Sequence, residues 1–299
     1  MYTFIELTAA LLVIVFSGCN NMQNPEKLKS RIIEKFKSVP GTFAVAFKTV
    51  SPDPVEILIN ADEVFHAAST MKTPVMIEAY RQAESGEFNF DDSIVVKNEF
   101  RSIVDSSEFS LDIDRDGGEK LYDFVGKKRR IYDLVYDMII HSSNLATNLI
   151  IEYLGAENVN RTMHEMGAKN INILRGVEDI KAFDAGMNNT TTARDLMIIF
   201  EKIAAGKAIS KHASENMIKI LLDQQYNEII PALLPEDVKV AHKTGSINGV
   251  QHDSGIVFLP DGKKYVLVLL SKNLEDTDKA VKMMAEISGI IYQFIQSLP

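Results

Sequence analysis

Apolar residues recur at helical spacing from Pro25 to Ser38, where Leu28, Ile32, Ile33 and Phe36 share one face and Lys and Glu line the other. Pro40-Gly41 stops that run. Thr42 to Val50 then has the pattern of a strand, and Val55 to Asn60 follows across Ser51-Pro52-Asp53-Pro54, a strand–turn–strand signal. From Ser69 to about Gln225 helical patterns dominate, at Met71 to Gly86, Ile131 to His141, Asn144 to Gly155, Thr191 to Ala205 and Lys211 to Gln224. Strand patterns return from Val238 to Ser246 and from Val250 to Leu259. Pro260-Asp261-Gly262-Lys263 reads as a hairpin turn with Lys264 to Ser271 as its second arm, and an amphipathic helix from Asp276 to about Gln296 closes the chain. Strands at both ends of the chain predict one antiparallel sheet covered by the terminal helices. The helical middle is then an inserted all-α domain, which makes the fold α/β in the α+β sense. The expected division is 25–68 with 226–299 for the α/β part and 69–225 for the helical part, with a ligand groove between them.

Composition narrows the function. The 299 residues carry 32 Lys and Arg against 41 Asp and Glu, a formal net charge of −9, which argues against nucleic acid as a partner because phosphate binding needs a clustered basic surface. One cysteine allows no disulfide framework within the chain and no thiolate-rich metal site. His164-Glu165 begins like a zinc-binding H-E-x-x-H, but Ala168 takes the fifth position. The phosphate-binding loops G-x-x-x-x-G-K and G-x-G-x-x-G and the nucleophile elbow G-x-S-x-G are absent. Leu7 to Phe16 is an apolar run broken only by Thr8, too short to span a bilayer as a finished helix, and it ends in Phe16-Ser17-Gly18-Cys19. Small residues before the sole cysteine resemble the lipobox of a bacterial lipoprotein. That resemblance implies a signal peptide over 1–18, acylation of Cys19, a tether over 19–24, and a lipid-anchored protein facing the periplasm. The segment before the run, Met1 to Glu6, lacks the usual Lys or Arg.

Residues 98–130 read poorly as helix or strand and contain Asp112-Ile-Asp114-Arg-Asp116-Gly117, the first half of a calcium loop. Glu119 at the eighth position and Asp123 at the twelfth depart from that pattern, so the stretch is expected to be an acidic, solvated loop.

Three short motifs carry the chemistry. Ser69-Thr70-Met71-Lys72 is the only S-x-x-K, placed where Val75, Met76 and Ile77 continue an apolar helix. Ser69 is expected in the first helical turn, among free N–H groups, with Lys72 one turn along the same face and within reach of the hydroxyl. A lysine buried there loses hydration, and its pKa falls toward the range of a general base. A capping serine followed by a surface lysine would give the same four letters. Ser142-Ser143-Asn144 lies in the turn between two apolar helices; S-x-N also occurs at Ser214, Ser246 and Ser271. Lys243-Thr244-Gly245 lies on a late strand, where Gly245 is expected to let a substrate backbone approach and Lys243, Thr244 and Ser246 offer donors to a carboxylate.

In this order the three motifs resemble the signature set of class A β-lactamases and penicillin-binding proteins. The stretch Ser142-Ser-Asn-Leu-Ala-Thr-Asn148 is similar to the family's S-D-N-x-A-x-N, Thr190-Thr-Thr-Ala193 to the end of its Ω-loop, and Gly262 with the last helix to its closing hairpin. The resemblance spans about residues 25–298. It implies a β-lactamase/transpeptidase-like fold and a β-lactam or peptidoglycan-like substrate. It implies further that Ser69 is an acylated nucleophile, Lys72 its base, Ser142 a proton relay, and Asn144 the holder of the substrate amide. Lys243 would keep the site positive, Thr244 and Ser246 would receive a carboxylate, and the N–H groups of Ser69 and Ser246 would form the oxyanion hole. No metal or cofactor is implied, and a monomer is expected.

Departures fall at deacylation. The Ω-loop pattern R-x-E-x-x-x-N becomes Arg175-Gly-Val-Glu178-Asp-Ile-Lys-Ala182, so Glu178 comes one residue late, Asp179 is its neighbouring alternative, and Ala182 replaces the Asn. Glu178 could also be an exposed carboxylate or a partner for Arg175. Ser143 replaces the family's common Asp, and His252, near the place of a family arginine, reads as a strand residue. A β-lactamase is the expected activity. A D,D-peptidase or esterase of the same fold and a non-turnover β-lactam sensor are the alternatives.

Overall fold

The computed structural model describes residues 24–298; Cys19 and the expected signal peptide lie outside them. Helix α1 (Pro25–Phe36) starts with Asn24 accepting from the Glu26 and Lys27 amides and with Pro25 in the first turn, where a missing N–H costs nothing. Strands β1 (Thr42–Thr49) and β2 (Glu56–Ile59) follow. The middle of the chain supplies α2 (Lys72–Glu84), α3 (Ile131–Ile140), α4 (Asn144–Leu154), α5 (Ala156–Glu165), α6 (Ile180–Asp184), α7 (Ala193–Ala204) and α8 (Lys211–Leu222). Strands β3 (Lys239–Ile247), β4 (Val250–Phe258) and β5 (Lys264–Lys272) lead into α9 (Thr277–Ser297). The five strands form one antiparallel sheet in the order β2-β1-β5-β4-β3, with the two chain ends meeting where β1 pairs with β5 from Thr42↔Lys272 to Thr49↔Tyr265.

Both faces of the sheet are covered, and strand period sorts the side chains between two cores. Val45 and Phe47 of β1, with Leu267 and Leu269 of β5, pack against Leu28 and Ile32 of α1 and Ile287, Ile291 and Phe294 of α9. Ala44 and Ala46, with Val266, Val268 and Leu270, face the helical middle. Small residues on that face let α7 lie directly on β1 and β5. The inner face of the sheet therefore shares one continuous core with α2, α3 and α4, including Val75, Ile77, Leu134, Ile139 and Leu149. Helix α5, which the strand-and-helix reading passes over, is mostly polar and buries only Val159, Thr162 and Met163. Its short apolar stripe starts afresh after Gly155, whose φ of 82° breaks the helix axis.

Residues 98–130 form short ladders and turns: Phe100–Arg101 pairs with Glu108–Phe109, and short 3₁₀ segments span Ile113–Arg115 and Glu119–Phe124. The segment is not uniformly solvated. Asp116 is 6% exposed and accepts hydrogen bonds from backbone amides, which corrects the expectation of a solvated acidic loop at that residue. Among the described residues no group of three or more His, Cys, Asp or Glu side chains could hold a metal ion, and no helix is long and apolar enough to cross a membrane.

Candidate active site

Ser69 sits in a 3₁₀ turn, Ala68–Met71, that runs directly into α2, so Lys72 opens the α-helix one turn after the serine. Helix α2 is apolar on nearly every side, with Val75, Met76, Ile77 and Ala79 fully enclosed, and this forces Lys72 inside with it. The lysine is 0% exposed, and burial pulls its pKa from the ordinary lysine range to about 7 against the opposing charges of Asp116 and Glu178. Its ammonium donates to Ser142 O at 2.7 Å, Ser142 Oγ at 3.1 Å and Asn144 Oδ1 at 3.0 Å. None of its hydrogen bonds goes to the Ser69 hydroxyl, so the expected reach across one turn is a shared position rather than a formed bond. Contacts of this kind tighten only when substrate is bound.

The other lysine comes from the opposite wall. Lys243 on β3 is also 0% exposed and donates to Ser142 Oγ at 3.0 Å and Thr244 O at 2.9 Å. Burial, and then the charge of Lys72, hold its pKa well below the usual value, with Asp253 acting against them. Two ammonium groups therefore meet on one hydroxyl, and in a dry site each favours the neutral form of the other. Ser142 itself adopts φ of 56°, while Ala68 before the nucleophile and Glu178 have φ of 44° and 62°. Left-handed backbone at three non-glycine residues is held there by the surrounding structure, and such strain gathers at functional sites.

Strand β3 lies close against the nucleophile turn. A Cβ on Gly245 would come within 3.1 Å of the backbone nitrogens of Ser69 and Thr70. The glycine thus admits the chain's own Ser69 turn, which corrects the expectation that it chiefly admits a substrate backbone. That closeness brings the strand before Ser246 against the Ser69 turn in a cleft of about 1020 Å³, lined by both serines with Ser142, Asn144, Glu178 and Thr244. Lys72 and Lys243 lie beneath its floor.

The Ω segment is clamped from two sides. Asn148 donates to Val177 O at 3.0 Å and accepts from Val177 N at 2.6 Å, while Asn189 accepts from the Leu174 and Arg175 amides and donates to Arg175 O. Arg175 spends its donors on Met187 O, Gly176 O and Asn188 Oδ1, so it is not the partner of Glu178. Glu178 reaches into the cleft, where Oε1 accepts from Asn144 Nδ2 at 2.7 Å and Oε2 from Asp112 N at 3.5 Å. Asp179 points away. Its carboxylate, 3% exposed, caps α6 through Ala182 N and takes bonds from Ser102 Oγ and Ile103 N. Ala182 is buried and offers no amide group to the cleft.

Of the residues expected from the sequence, Ser69, Ser142, Asn144, Thr244, Ser246 and Glu178 line one cleft, with Lys72 and Lys243 buried against Ser142; several supports were missed. His242 Nδ1 and Asp253 Oδ1 are hydrogen-bonded at 2.8 Å behind Lys243, and Asp253 Oδ2 accepts from Ile230 N. Their partnership across β3 and β4 needs the register His242↔Gly255, which no local pattern encodes. His252 is fully buried in the sheet; its Nε2 donates to His66 O and its Nδ1 accepts from Ser271 N, and burial lowers its pKa to about 4.

Comparisons with known proteins bear on the family and the fold. The family model described as "Beta-lactamase enzyme family" matches residues 27–295. A β-lactamase of Bacteroides uniformis is 24% identical over 172 residues, which cover 54% of this chain and 58% of that protein. Beta-lactamase VEB-1 of Pseudomonas aeruginosa is 20% identical over 302 residues, covering 97% of each chain. Among solved structures, a mutant of PBP-A in acyl-enzyme complex with penicillin G superposes with a TM-score of 0.77 at 25% identity, covering 92% of this chain and 99% of that one.

Proposed function

The chain belongs to the β-lactamase enzyme family, and from its site we propose that it opens β-lactam rings through an ester on Ser69. The observation that carries this reading is the convergence of two fully buried lysines on Ser142 Oγ beside a serine whose backbone abuts β3.

The chemistry follows from the residues. With its pKa near 7, Lys72 is partly neutral at physiological pH and can accept the Ser69 proton as Oγ attacks the lactam carbonyl. The oxyanion that forms is received by the N–H groups of Ser69 and Ser246, donors fixed in place by the turn and the strand that carry them. Ser142 passes a proton to the departing ring nitrogen, and its contacts to both lysines let it be resupplied from either side. Asn144, held between Lys72 and Glu178, presents its amide to the substrate's side-chain amide. Lys243, Thr244 and Ser246 attract the substrate carboxylate. Glu178 is the one carboxylate of the Ω segment aimed into the cleft and is the base for the hydrolytic water.

A slow-turnover, peptidase-like reading has its own support. Both oxygens of Glu178 already have donors, and Ala182 supplies no group to hold a water next to it. The deciding experiment is hydrolysis of a chromogenic cephalosporin by residues 20–299 alongside intact-mass analysis. Multiple turnovers support the hydrolase. A stable adduct of intact drug mass supports the peptidase or sensor reading, and the absence of both turnover and adduct overturns the Ser69 ester.

The reading extends to location: a lipoprotein anchored through Cys19 in the cell envelope, active as a monomer facing the periplasm. The apolar run before Ser17-Gly18-Cys19 supports it. Cys19→Ser should move the protein from the membrane fraction to the soluble periplasm; a soluble wild type refutes the anchor.

A further inference from the structure

We propose that Asp116 is a positioning residue for acylation, a carboxylate lent by the 98–130 segment to the Ser142–Asn144 turn. The inference rests on the Ser69 acyl-enzyme reading and deepens it. The turn carries no charge of its own, since its central residue is Ser143. Asp116 comes in from a separate stretch of chain and fills that lack. Its Oδ1 accepts from Asn144 N at 2.9 Å and its Oδ2 from Leu145 N at 2.7 Å, the first two amides of α4. Ser143 Oγ takes the Ala146 amide at 3.2 Å, so the two side chains divide the unsatisfied donors of that helix start between them. Gly118 N at 2.8 Å and Tyr122 Oη at 3.1 Å hold the carboxylate in place, and Ser143 Oγ lies 3.4 Å from it.

The segment meets the turn at contact distance. A Cβ on Gly117 would fall 2.1 Å from His141 O, and one on Gly118 would fall 2.4 Å from Ser143 Cβ. Asp116-Gly117-Gly118 is therefore fitted to the turn, not draped over it. What the turn presents is the left-handed Ser142, whose carbonyl and hydroxyl hold Lys72, and Asn144, which bridges Lys72 to Glu178. A negative charge at the start of α4 is also favoured by the exposed N–H groups there. The charged groups facing Lys72 are Asp116, Glu178 and Lys243; the two carboxylates favour its protonated form, and Lys243 opposes it.

Two effects of Asp116→Asn follow. The near-isosteric amide keeps one acceptor but loses the charge and turns N–H groups toward amides. Ser142 and Asn144 then drift, and the acylation rate falls about tenfold to a hundredfold. Loss of the negative charge favours neutral Lys72, so the acid limb of the acylation rate, where the lysine must be unprotonated, moves down by about one pH unit. A role as a mere anchor for the segment predicts lower stability with an unmoved limb.

The test measures the acylation rate of a fluorescent penicillin between pH 5 and 9 on full-length protein, for wild type, Asp116→Asn, and the exchange variant Asp116→Ser/Ser143→Asp. The exchange should restore the rate to within about threefold of wild type and return the limb, because the carboxylate is again at the start of α4. An unchanged rate and limb in Asp116→Asn overturn the inference, and so does a slowed rate that the exchange leaves unrescued with its limb unmoved. Gly118→Ala gives a second handle if Asp116→Asn fails to fold: by pushing Ser143 it should slow acylation at least fivefold, and wild-type rates there refute the coupling. Failure of the wild type to label overturns the Ser69 ester instead. In that event amide hydrogen exchange decides the inference, with Asn144 and Leu145 losing protection in Asp116→Asn if it holds and keeping it if it does not.

Discussion

The acylating and deacylating halves of the cleft are built by different means. Ser69, Lys72 and Lys243 stand on regular elements, the 3₁₀ turn that opens a central buried helix, that helix, and the edge strand β3 of the sheet, and both lysines are fully buried. Glu178 stands on an irregular segment, at a left-handed residue, held by side chain–backbone clamps from Asn148 and Asn189. On a helix or strand, spacing dictates direction, so the chemistry of the first half follows from three short motifs. In the Ω segment a shift of one residue decides whether Glu178 or Asp179 faces the cleft, and the clamps make that choice. The first half is therefore expected to tolerate changes in the Ω segment and to fail with any loss of its own groups or of the Asp116 contact that holds the Ser142–Asn144 turn. The second half should be adjustable at the level of single loop residues.

The largest effect expected is from Ser69→Ala, which should abolish covalent labelling by a penicillin while shifting the thermal midpoint by only a few degrees; persistent labelling would place the nucleophile elsewhere. Glu178→Gln should separate the two halves. It should acylate normally but turn over about 10²- to 10⁴-fold more slowly, so that an adduct of intact drug mass accumulates. Hydrolysis at the wild-type rate would assign water activation to another group, Lys72 being nearest in chemistry. Lys243→Ala removes charged hydrogen bonds worth about 2 kcal/mol, so KM for carboxylate-bearing substrates should rise about thirtyfold while kcat falls less. Unchanged kcat/KM would take Lys243 out of substrate binding.

Smaller effects sharpen the same contrast. Lys72 acts as a base only when unprotonated, and burial sets its pKa at about 7, so acylation should rise with pH across that value and level off above it. A flat rate from pH 5 to 9 would rule out Lys72 as the titrating base. Asp179→Asn should keep nearly normal turnover, since the carboxylate faces Ser102 and Ile103 rather than the cleft, and should lower stability by about 1 kcal/mol because Asn still caps α6. A urea melt with parallel kinetics checks both; lost turnover in the folded variant would return Asp179 to the chemistry.

Much of this arrangement is local and was legible. Hydrophobic period located α1 to α4, α7 to α9 and all five sheet strands, because each element buries its own stripe. The spacing of Ser69 and Lys72 needed only a helix to acquire meaning. Resemblance then supplied the roles that spacing leaves open. Helix α5 was passed over because three buried residues make too weak a stripe. Asp116 was read as solvated because acidic, glycine-containing sequence is the same whether water or a helix start receives its carboxylate.

What tertiary structure alone decided are the meetings between segments far apart in the chain. The sequence by itself determined that a serine and a lysine share one helical turn, that an S-x-N joins two apolar helices, and that a K-T-G strand comes late. Only the fold set Lys72 and Lys243, 171 positions apart, on a single hydroxyl, and drew their pKa values down by burying both. Only the fold joined Glu178 to Asn144 and Asp179 to Ser102 and Ile103, and carried Asp116 to the amides of Asn144 and Leu145. The reason is physical: helix and strand periods depend on near neighbours, whereas desolvation, the meeting of charges and the satisfaction of buried donors depend on what packing brings from elsewhere.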